Sequence, residues 1–275
     1  MTPITANAET VLCMSLAGRP GTFGVRFHNH LYRQLGLNYY YKAMTTQDLP
    51  AAVAGIRALG IRGCGVSMPF KEACMTLVDT IDPSAAAIDS INTLVNDDGQ
   101  LTAYNTDYLA VRQLLEQRQV DPTTAFALRG SGGMAKAVAC ALRDSGFADG
   151  TVVARNEAAG RTLADACGYR WVPDVESLGP LPMLVNVTPI GMLGGAEADQ
   201  LAFGEAAIAD AQWVFDVVAR PERTPLIARA LEQGKSVITG VDVIALQALE
   251  QFVLYTGIRP APAQVDEAVV FARQG

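Results

Sequence analysis

The chain has 275 residues, of which 50% are hydrophobic and 18% are charged, a globular composition with enough length for one or two domains. Its formal net charge of −7 argues against a nucleic-acid partner. Five cysteines without C-x-x-C spacing and only two histidines predict neither a disulfide framework nor a metal site. Because no signal peptide and no long apolar run is present, we expect a cytoplasmic protein that does not contact membranes.

The first hundred residues predict an α/β domain, because apolar runs bounded by glycine alternate with stretches of helical period. The predicted elements are strand 10–18, helix 25–36, strand 37–44, helix 47–60 and strand 61–68. Proline suits the first position of a helix, so Met68-Pro69 predicts a helix start with Lys71 in its first turn. Asp98-Gly99 predicts a hairpin between two short strands.

A second α/β series begins at Asn105. Its predicted elements are helix 107–119, strand 124–130, helix 133–146, strand 151–155, helix 157–168, strand 183–187, strand 213–218, helix 225–234 and strand 236–240. This order predicts a Rossmann-like domain over 105–240 that binds a dinucleotide. Two helices after Gly240 cannot extend its sheet, so we expect them to pack on the first domain. The substrate-binding domain is then predicted to comprise 1–104 and 241–275.

A glycine-rich turn after the first strand of this second series indicates the cofactor site. Gly130, Ser131, Gly132, Gly133, Met134 and Ala135 fit the pattern G-x-G-x-x-G/A, in which the glycines allow a tight turn and close approach of a pyrophosphate to the backbone. The next strand ends in Arg155, which favours the 2′-phosphate of NADP over the free ribose of NAD. Glu157 leaves NAD open, although an acid is also favourable in the first turn of a helix.

Lys71 and Asp107 are candidates for moving a proton. Hydride transfer between a nicotinamide and an alcohol carbon requires a side chain that takes up or delivers the proton of the oxygen. A carboxylate next to a lysine would hold its ammonium group in place. Each residue also has an ordinary alternative, a solvated lysine on a helix and an acidic residue near a helix N-terminus.

At these residues the chain resembles the shikimate dehydrogenase family, the NADP-dependent enzymes that interconvert 3-dehydroshikimate and shikimate. Five stretches match family motifs in order: Gly65 to Lys71 (N-V-T-x-P-x-K), Ser90 to Thr93 (G-A-V-N-T), Tyr104 to Asp107 (G-x-N-T-D), Asn186 to Met192 (N-A-T-x-x-G-M), and Gly240 with Gln247-Ala248 (G-x-x-M-L-x-x-Q-A). The resemblance covers nearly the whole chain.

The resemblance implies a role for each matched residue. Lys71 and Asp107 would form the catalytic pair and would also contact the ring hydroxyls of the substrate. Thr22, Ser67, Asn92 and Gln247 would hydrogen-bond the substrate, although by sequence alone Asn92 and Gln247 would more simply face water. The cofactor would be lined by Gly130, Ser131, Gly132, Gly133, Met134, Ala135, Ala154, Arg155, Asn156, Thr188, Val217 and Gly240.

The sequence departs from the family where the substrate carboxylate is bound. Family members carry S-x-S-P where this chain has Thr22-Phe23-Gly24-Val25, and D-x-x-Y where it has Asp216-Val217-Val218-Ala219. Each lost hydrogen bond to a charged group is worth about 1.5 to 3 kcal/mol. The pattern is similar to the divergent, shikimate dehydrogenase-like branch, and it leaves open quinate or another cyclic polyol as substrate, or a nucleotide-binding regulatory protein. We expect a monomer or a homodimer.

Overall fold

The computed structural model describes residues 6–86 and 88–274. The chain forms two compact units. Unit 1 comprises the residues up to Thr106 together with those from Ala245 onward, and unit 2 runs from Asp107 to Ile244. No helix among the described residues is long and apolar enough to cross a membrane.

Unit 1 contains a six-stranded sheet. Its elements before the crossing to unit 2 are β1 (Val11–Leu16), α1 (Phe23–Gln34), β2 (Tyr39–Met44), α2 (Leu49–Ala58), β3 (Gly63–Val66), β4 (Thr80–Ile81), α3 (Pro83–Ala86), β5 (Thr93–Asp97) and β6 (Gln100–Tyr104). The strand order is β2-β1-β3-β5-β6-β4. β1 pairs in parallel with β2 and β3, as the alternation of strands and helices predicted, whereas β5 runs antiparallel to both β3 and β6.

The hairpin predicted at Asp98-Gly99 is confirmed. β5 and β6 are antiparallel neighbours, and Asp98 and Gly99 have φ values of 50° and 89°. Two consecutive residues with positive φ are what a type I′ turn requires, and this turn matches the twist of the flanking strands.

The helix start predicted at Met68-Pro69 is wrong. The N–H of Phe70 donates to the carbonyl of Ser67 at 2.9 Å, which closes a turn, and the Met68-Pro69 peptide bond is cis. A 3₁₀ helix begins only at Ala73. Proline is common both in turns and at helix starts, so the Met68-Pro69 pair alone does not distinguish the two. Lys71 therefore lies in a turn and not in the first turn of a helix.

Unit 2 contains a parallel six-stranded sheet. Its elements are α4 (Thr106–Gln117), β7 (Phe126–Arg129), α5 (Gly133–Asp144), β8 (Gly150–Val153), α6 (Glu157–Cys167), β9 (Arg170–Val172), β10 (Met183–Asn186), α7 (Glu205–Asp210), β11 (Trp213–Asp216), α8 (Pro225–Glu232) and β12 (Ser236–Ile238). The strand order β9-β8-β7-β10-β11-β12 is that of a Rossmann fold, as predicted. β9 and α7 were not predicted from the sequence.

The two C-terminal helices, α9 (Gly240–Thr256) and α10 (Pro262–Arg273), complete the fold. Phe252 and Tyr255 of α9 and Ala268 of α10 share a buried cluster with Phe27 of α1 and other side chains of unit 1, which confirms the prediction that these helices pack on the first domain. Their approach is close. A Cβ atom at Gly63 would lie 2.1 Å from the ring of Tyr255, so only glycine fits there.

Candidate active site

Asn92 is a buried polar residue of unit 1 whose side chain is held by several hydrogen bonds. Its side chain is buried, and its amide oxygen accepts hydrogen bonds from the Thr106 N–H at 2.8 Å, the Thr106 hydroxyl at 3.0 Å and the Thr93 hydroxyl at 2.8 Å. Three donors fix which way the carboxamide faces. Within the described residues the Nδ2 group of Asn92 makes no hydrogen bond, so it remains able to donate to a ligand.

Gln251 supports this arrangement from α9, and the sequence analysis did not single it out. Its Nε2 donates to the Thr93 hydroxyl at 2.9 Å and to the Asn92 carbonyl at 3.3 Å. Gly65 leaves room for it, since a Cβ there would lie 3.1 Å from Gln251 Nε2. The one signal in the sequence is that Gln251 follows Gln247 by four residues, which places both on one face of α9.

Ser67 and Lys71 lie close to Asn92 along the backbone. The N–H of Val66 donates to the Asn92 carbonyl at 2.7 Å, which brings Ser67, the next residue, to the same place. The N–H of Ile91 donates to the Lys71 carbonyl at 3.4 Å. The turn that carries Lys71 therefore lies against the residue that precedes Asn92, and the Lys71 side chain is half-buried.

The remaining predicted substrate residues lie on three helices. Thr22 is the N-cap residue of α1, but its hydroxyl makes no capping bond and is exposed. Gln247 is half-buried on α9. Asp107 lies in the first turn of α4 and belongs to unit 2, whereas the other predicted substrate residues belong to unit 1.

Unit 2 has a pocket of about 340 Å³ at the carboxyl ends of its central strands. Six of the predicted cofactor residues line it: Gly130, Ser131, Ala154, Arg155, Asn156 and Thr188. The other lining residues are Arg129, Val153, Pro173, Asp174, Pro189 and Ile190. Gly132, Gly133, Met134, Ala135, Val217 and Gly240 lie outside this lining. A crevice at the carboxyl ends of parallel strands is where doubly wound sheets bind their ligands.

The glycine-rich turn has the geometry that a dinucleotide requires. Gly130 has a φ of 132°, and a Cβ there would lie 2.8 Å from the Val187 side chain. At Gly132 and Gly133 an added Cβ would meet no described atom within 4 Å, which leaves open space at the N-terminus of α5. A helix N-terminus with free N–H groups attracts phosphate. The turn therefore fits a pyrophosphate.

A buried polar cluster ties the strand ends beside this pocket together. The Asp216 carboxylate accepts hydrogen bonds from Asn186 Nδ2 at 3.0 Å, the Val218 N–H at 3.0 Å and the Thr224 hydroxyl at 2.7 Å. Burial raises the pKa of Asp216 to about 6, against the effect of these donors. Asn186 Oδ1 in turn accepts from the Thr188 hydroxyl at 2.6 Å, so this cluster sets the position of the Thr188 loop.

Val217 and Gly240, the last two predicted cofactor residues, lie side by side. A Cβ at Gly240 would lie 2.4 Å from the Val217 carbonyl oxygen, so glycine is needed for α9 to begin there.

Among the described residues no group of three His, Cys, Asp or Glu side chains has the arrangement of a metal site.

Known proteins resemble this chain over nearly its full length. Residues 23–94 match the family model of the shikimate dehydrogenase substrate binding domain. A shikimate dehydrogenase-like protein of Haemophilus influenzae is 53% identical, over 97% of this chain and 98% of its own. A shikimate dehydrogenase (NADP(+)) of Moorella thermoacetica is 35% identical, over 99% of this chain and 96% of its own. The solved shikimate 5-dehydrogenase of Thermus thermophilus, in complex with NADP(H) and shikimate, is 28% identical with a TM-score of 0.86, over 95% of this chain and 99% of its own.

Proposed function

Since the chain belongs to the shikimate dehydrogenase family, we propose that it is an NADP-dependent oxidoreductase that interconverts 3-dehydroshikimate and shikimate. The observation that carries the proposal is the buried Asn92, whose amide oxygen is held by three donors while its Nδ2 group stays available. A hydroxylated ring that accepts a hydrogen bond from this group is the kind of ligand that the arrangement suits.

Lys71 and Asp107 carry out the proton transfer in this proposal. Lys71 takes the proton from the substrate hydroxyl as the alcohol is oxidised, and returns it in the reverse direction. Asp107 stabilises the ammonium form that results. Ser67, Thr22 and Gln247 position the substrate, the first next to Asn92 and the second through a hydroxyl that is not engaged in capping α1.

The chain's own residues suit NADP as the cofactor. The backbone of the glycine-rich turn would hold the pyrophosphate, and Arg155 in the 340 Å³ pocket would bind the 2′-phosphate. When bound, NADP would supply the acceptor for the hydride of the alcohol carbon. The five cysteines are all free thiols, which supports a reducing compartment such as the cytoplasm.

Saturation kinetics with shikimate and quinate, each with NADP⁺ and NAD⁺, test the proposal. We expect shikimate with NADP⁺ to be the best pair, and Lys71→Met to lower kcat by about 10²-fold to 10⁴-fold, the usual contribution of a general acid or base. Lys42→Met is the matched control, because Lys42 is an exposed lysine of β2 in the same unit. Full turnover by Lys71→Met would refute the assignment of the proton to Lys71. No turnover of shikimate by the wild type would refute the assignment of shikimate as the substrate.

A further inference from the structure

Arg129 is the last residue of β7 and directly precedes the glycine-rich turn. Its half-buried side chain lines the same pocket as Arg155, which is the last residue before Asn156 at the start of α6. The sequence analysis assigned it only to a strand, and the family motifs that this chain matches do not include it. The wall of this pocket therefore carries two arginines and one carboxylate, that of Asp174, and has a net positive charge in a chain whose net charge is −7.

Neither arginine forms an ion pair with a carboxylate within the described residues. The Nη1 nitrogen of Arg129 donates to the Ala202 carbonyl, and this is the single hydrogen bond that its guanidinium makes to the described residues. Arg155 forms no hydrogen bond or ion pair with any residue that the structure describes. A guanidinium has five N–H donors, so most of those on both side chains remain for a ligand.

The two cations are near enough to repel each other. Burial lowers the pKa of Arg129 and the positive charge of Arg155 lowers it further, whereas the negative charges of Glu197 and Glu176 oppose this. Two like charges that line one pocket repel each other unless an anion joins them, although Arg155 is exposed and Arg129 is half-buried. Because the bond to Ala202 holds one edge of the Arg129 guanidinium to the backbone, its other donors are already oriented when an anion arrives.

We propose that Arg129 acts together with Arg155 to bind the 2′-phosphate of NADP, and is therefore a second residue that determines the choice between NADP and NAD. This inference rests on the proposed function. The 2′-phosphate supplies the anion that both guanidiniums lack. A dinucleotide with a free 2′-hydroxyl leaves the two cations uncompensated, so the same pair both favours NADP and disfavours NAD.

Isothermal titration of the full chain with 2′,5′-ADP and with 5′-ADP tests the inference, since the two ligands differ by the 2′-phosphate alone. We expect Arg129→Gln to weaken 2′,5′-ADP binding by about tenfold or more and to change 5′-ADP binding by less than about twofold. Arg129→Lys, which keeps the charge but loses the planar fork, is expected to fall between. Arg170→Gln is the matched control, because Arg170 is an exposed arginine of β9 that pairs with Asp149.

Each outcome separates the inference from the proposed function. If the wild type prefers 2′,5′-ADP and Arg129→Gln keeps the full preference, the inference is wrong and NADP as cofactor stands. If Arg129→Gln weakens both ligands equally, Arg129 serves another part of the nucleotide and the inference is again wrong. If the wild type itself shows no preference, the NADP assignment in the proposed function fails and the inference fails with it. Circular dichroism of each variant identifies any that does not fold.

Discussion

Replacing Thr93 with valine removes a single hydroxyl from the centre of the network around Asn92 while keeping the shape of the side chain. Thr93 is completely buried. Its hydroxyl accepts a hydrogen bond from Gln251 Nε2 at 2.9 Å, donates to Asn92 Oδ1 at 2.8 Å and lies 3.2 Å from the Thr106 hydroxyl. The substitution therefore leaves a buried amide donor without its better partner.

The expected cost follows from what remains after the change. Asn92 Oδ1 keeps both donors of Thr106, so its loss is small. Gln251 Nε2 keeps only the bond of 3.3 Å to the Asn92 carbonyl. A buried donor that loses its partner costs about 1 to 3 kcal/mol, and we expect a loss of about 2 kcal/mol in the free energy of unfolding. With a urea dependence of about 2 kcal/mol per molar, the unfolding midpoint falls by about 1 M.

Two measurements on one protein preparation check this reasoning. Urea unfolding is followed by far-ultraviolet circular dichroism, with the fluorescence of Trp171 and Trp213 as a reporter of unit 2, which holds both tryptophans of the chain. Steady-state kinetics should show a KM for shikimate raised several-fold, because the Asn92 amide is less well fixed. Tyr255→Phe is the control, since the buried hydroxyl of Tyr255 has no partner among the described residues. An unchanged midpoint for Thr93→Val would contradict the expected cost, and an unchanged KM would show that the two Thr106 donors hold the Asn92 amide without the Thr93 hydroxyl.

Three further outcomes are expected from the structure. Gly63→Ala should lower the free energy of unfolding by about 3 kcal/mol or more, because its Cβ would lie 2.1 Å from the Tyr255 ring. Gly55→Ala has open space around it and should stabilise α2 by about 0.5 to 1 kcal/mol. Thermal melting compares the two variants. Asp48→Ala should lower the free energy of unfolding by about 1 kcal/mol in the same assay, because the Asp48 carboxylate caps α2 at 3.0 Å. Burial raises the pKa of Asp216 to about 6, above its value in the unfolded chain. Between about pH 4 and pH 6 the folded state therefore binds more protons than the unfolded state, and the contribution of Asp216 to the free energy of unfolding decreases as the pH rises. The urea midpoint of the wild type relative to Asp216→Asn should therefore fall across that interval, and a constant difference would contradict the raised pKa.

The parts of the fold that were predictable are those specified by local patterns. The hairpin at Asp98-Gly99 and the Rossmann-like fold of unit 2 follow from turn chemistry and from alternating apolar runs. β9 has three residues and α7 has six, too few for either to show a period, and both were missed. The wrong helix at Met68-Pro69 has another cause. Its local signal is shared by turns and helix starts, and the hydrogen bonds of the folded chain decide between them.

The candidate site also contains residues that a local motif predicts and residues that only the folded chain brings together. The glycine-rich turn and Arg155 could be found because a motif specifies their roles at fixed spacing. The role of Gln251 could not be predicted, because it depends on a hydrogen bond to Thr93, which lies 158 positions away in the chain. Arg129 was read as the end of a strand, which it is, and only the folded pocket shows that its side chain faces the same space as Arg155.

Gly65 and Gln251 show how a departure from a family motif is compensated in space. The family has asparagine where this chain has Gly65, so one carboxamide is absent from the end of β3. A Cβ at that position would lie 3.0 Å from the Tyr41 hydroxyl and 3.1 Å from Gln251 Nε2, so the space is already filled. In this chain the carboxamide of Gln251 on α9 fills that space and donates to the Asn92 carbonyl and the Thr93 hydroxyl. Gly24 is different, because a Cβ there would make only ordinary contact with the Tyr41 ring at 3.5 Å. Space therefore does not demand glycine at position 24, in contrast to position 65.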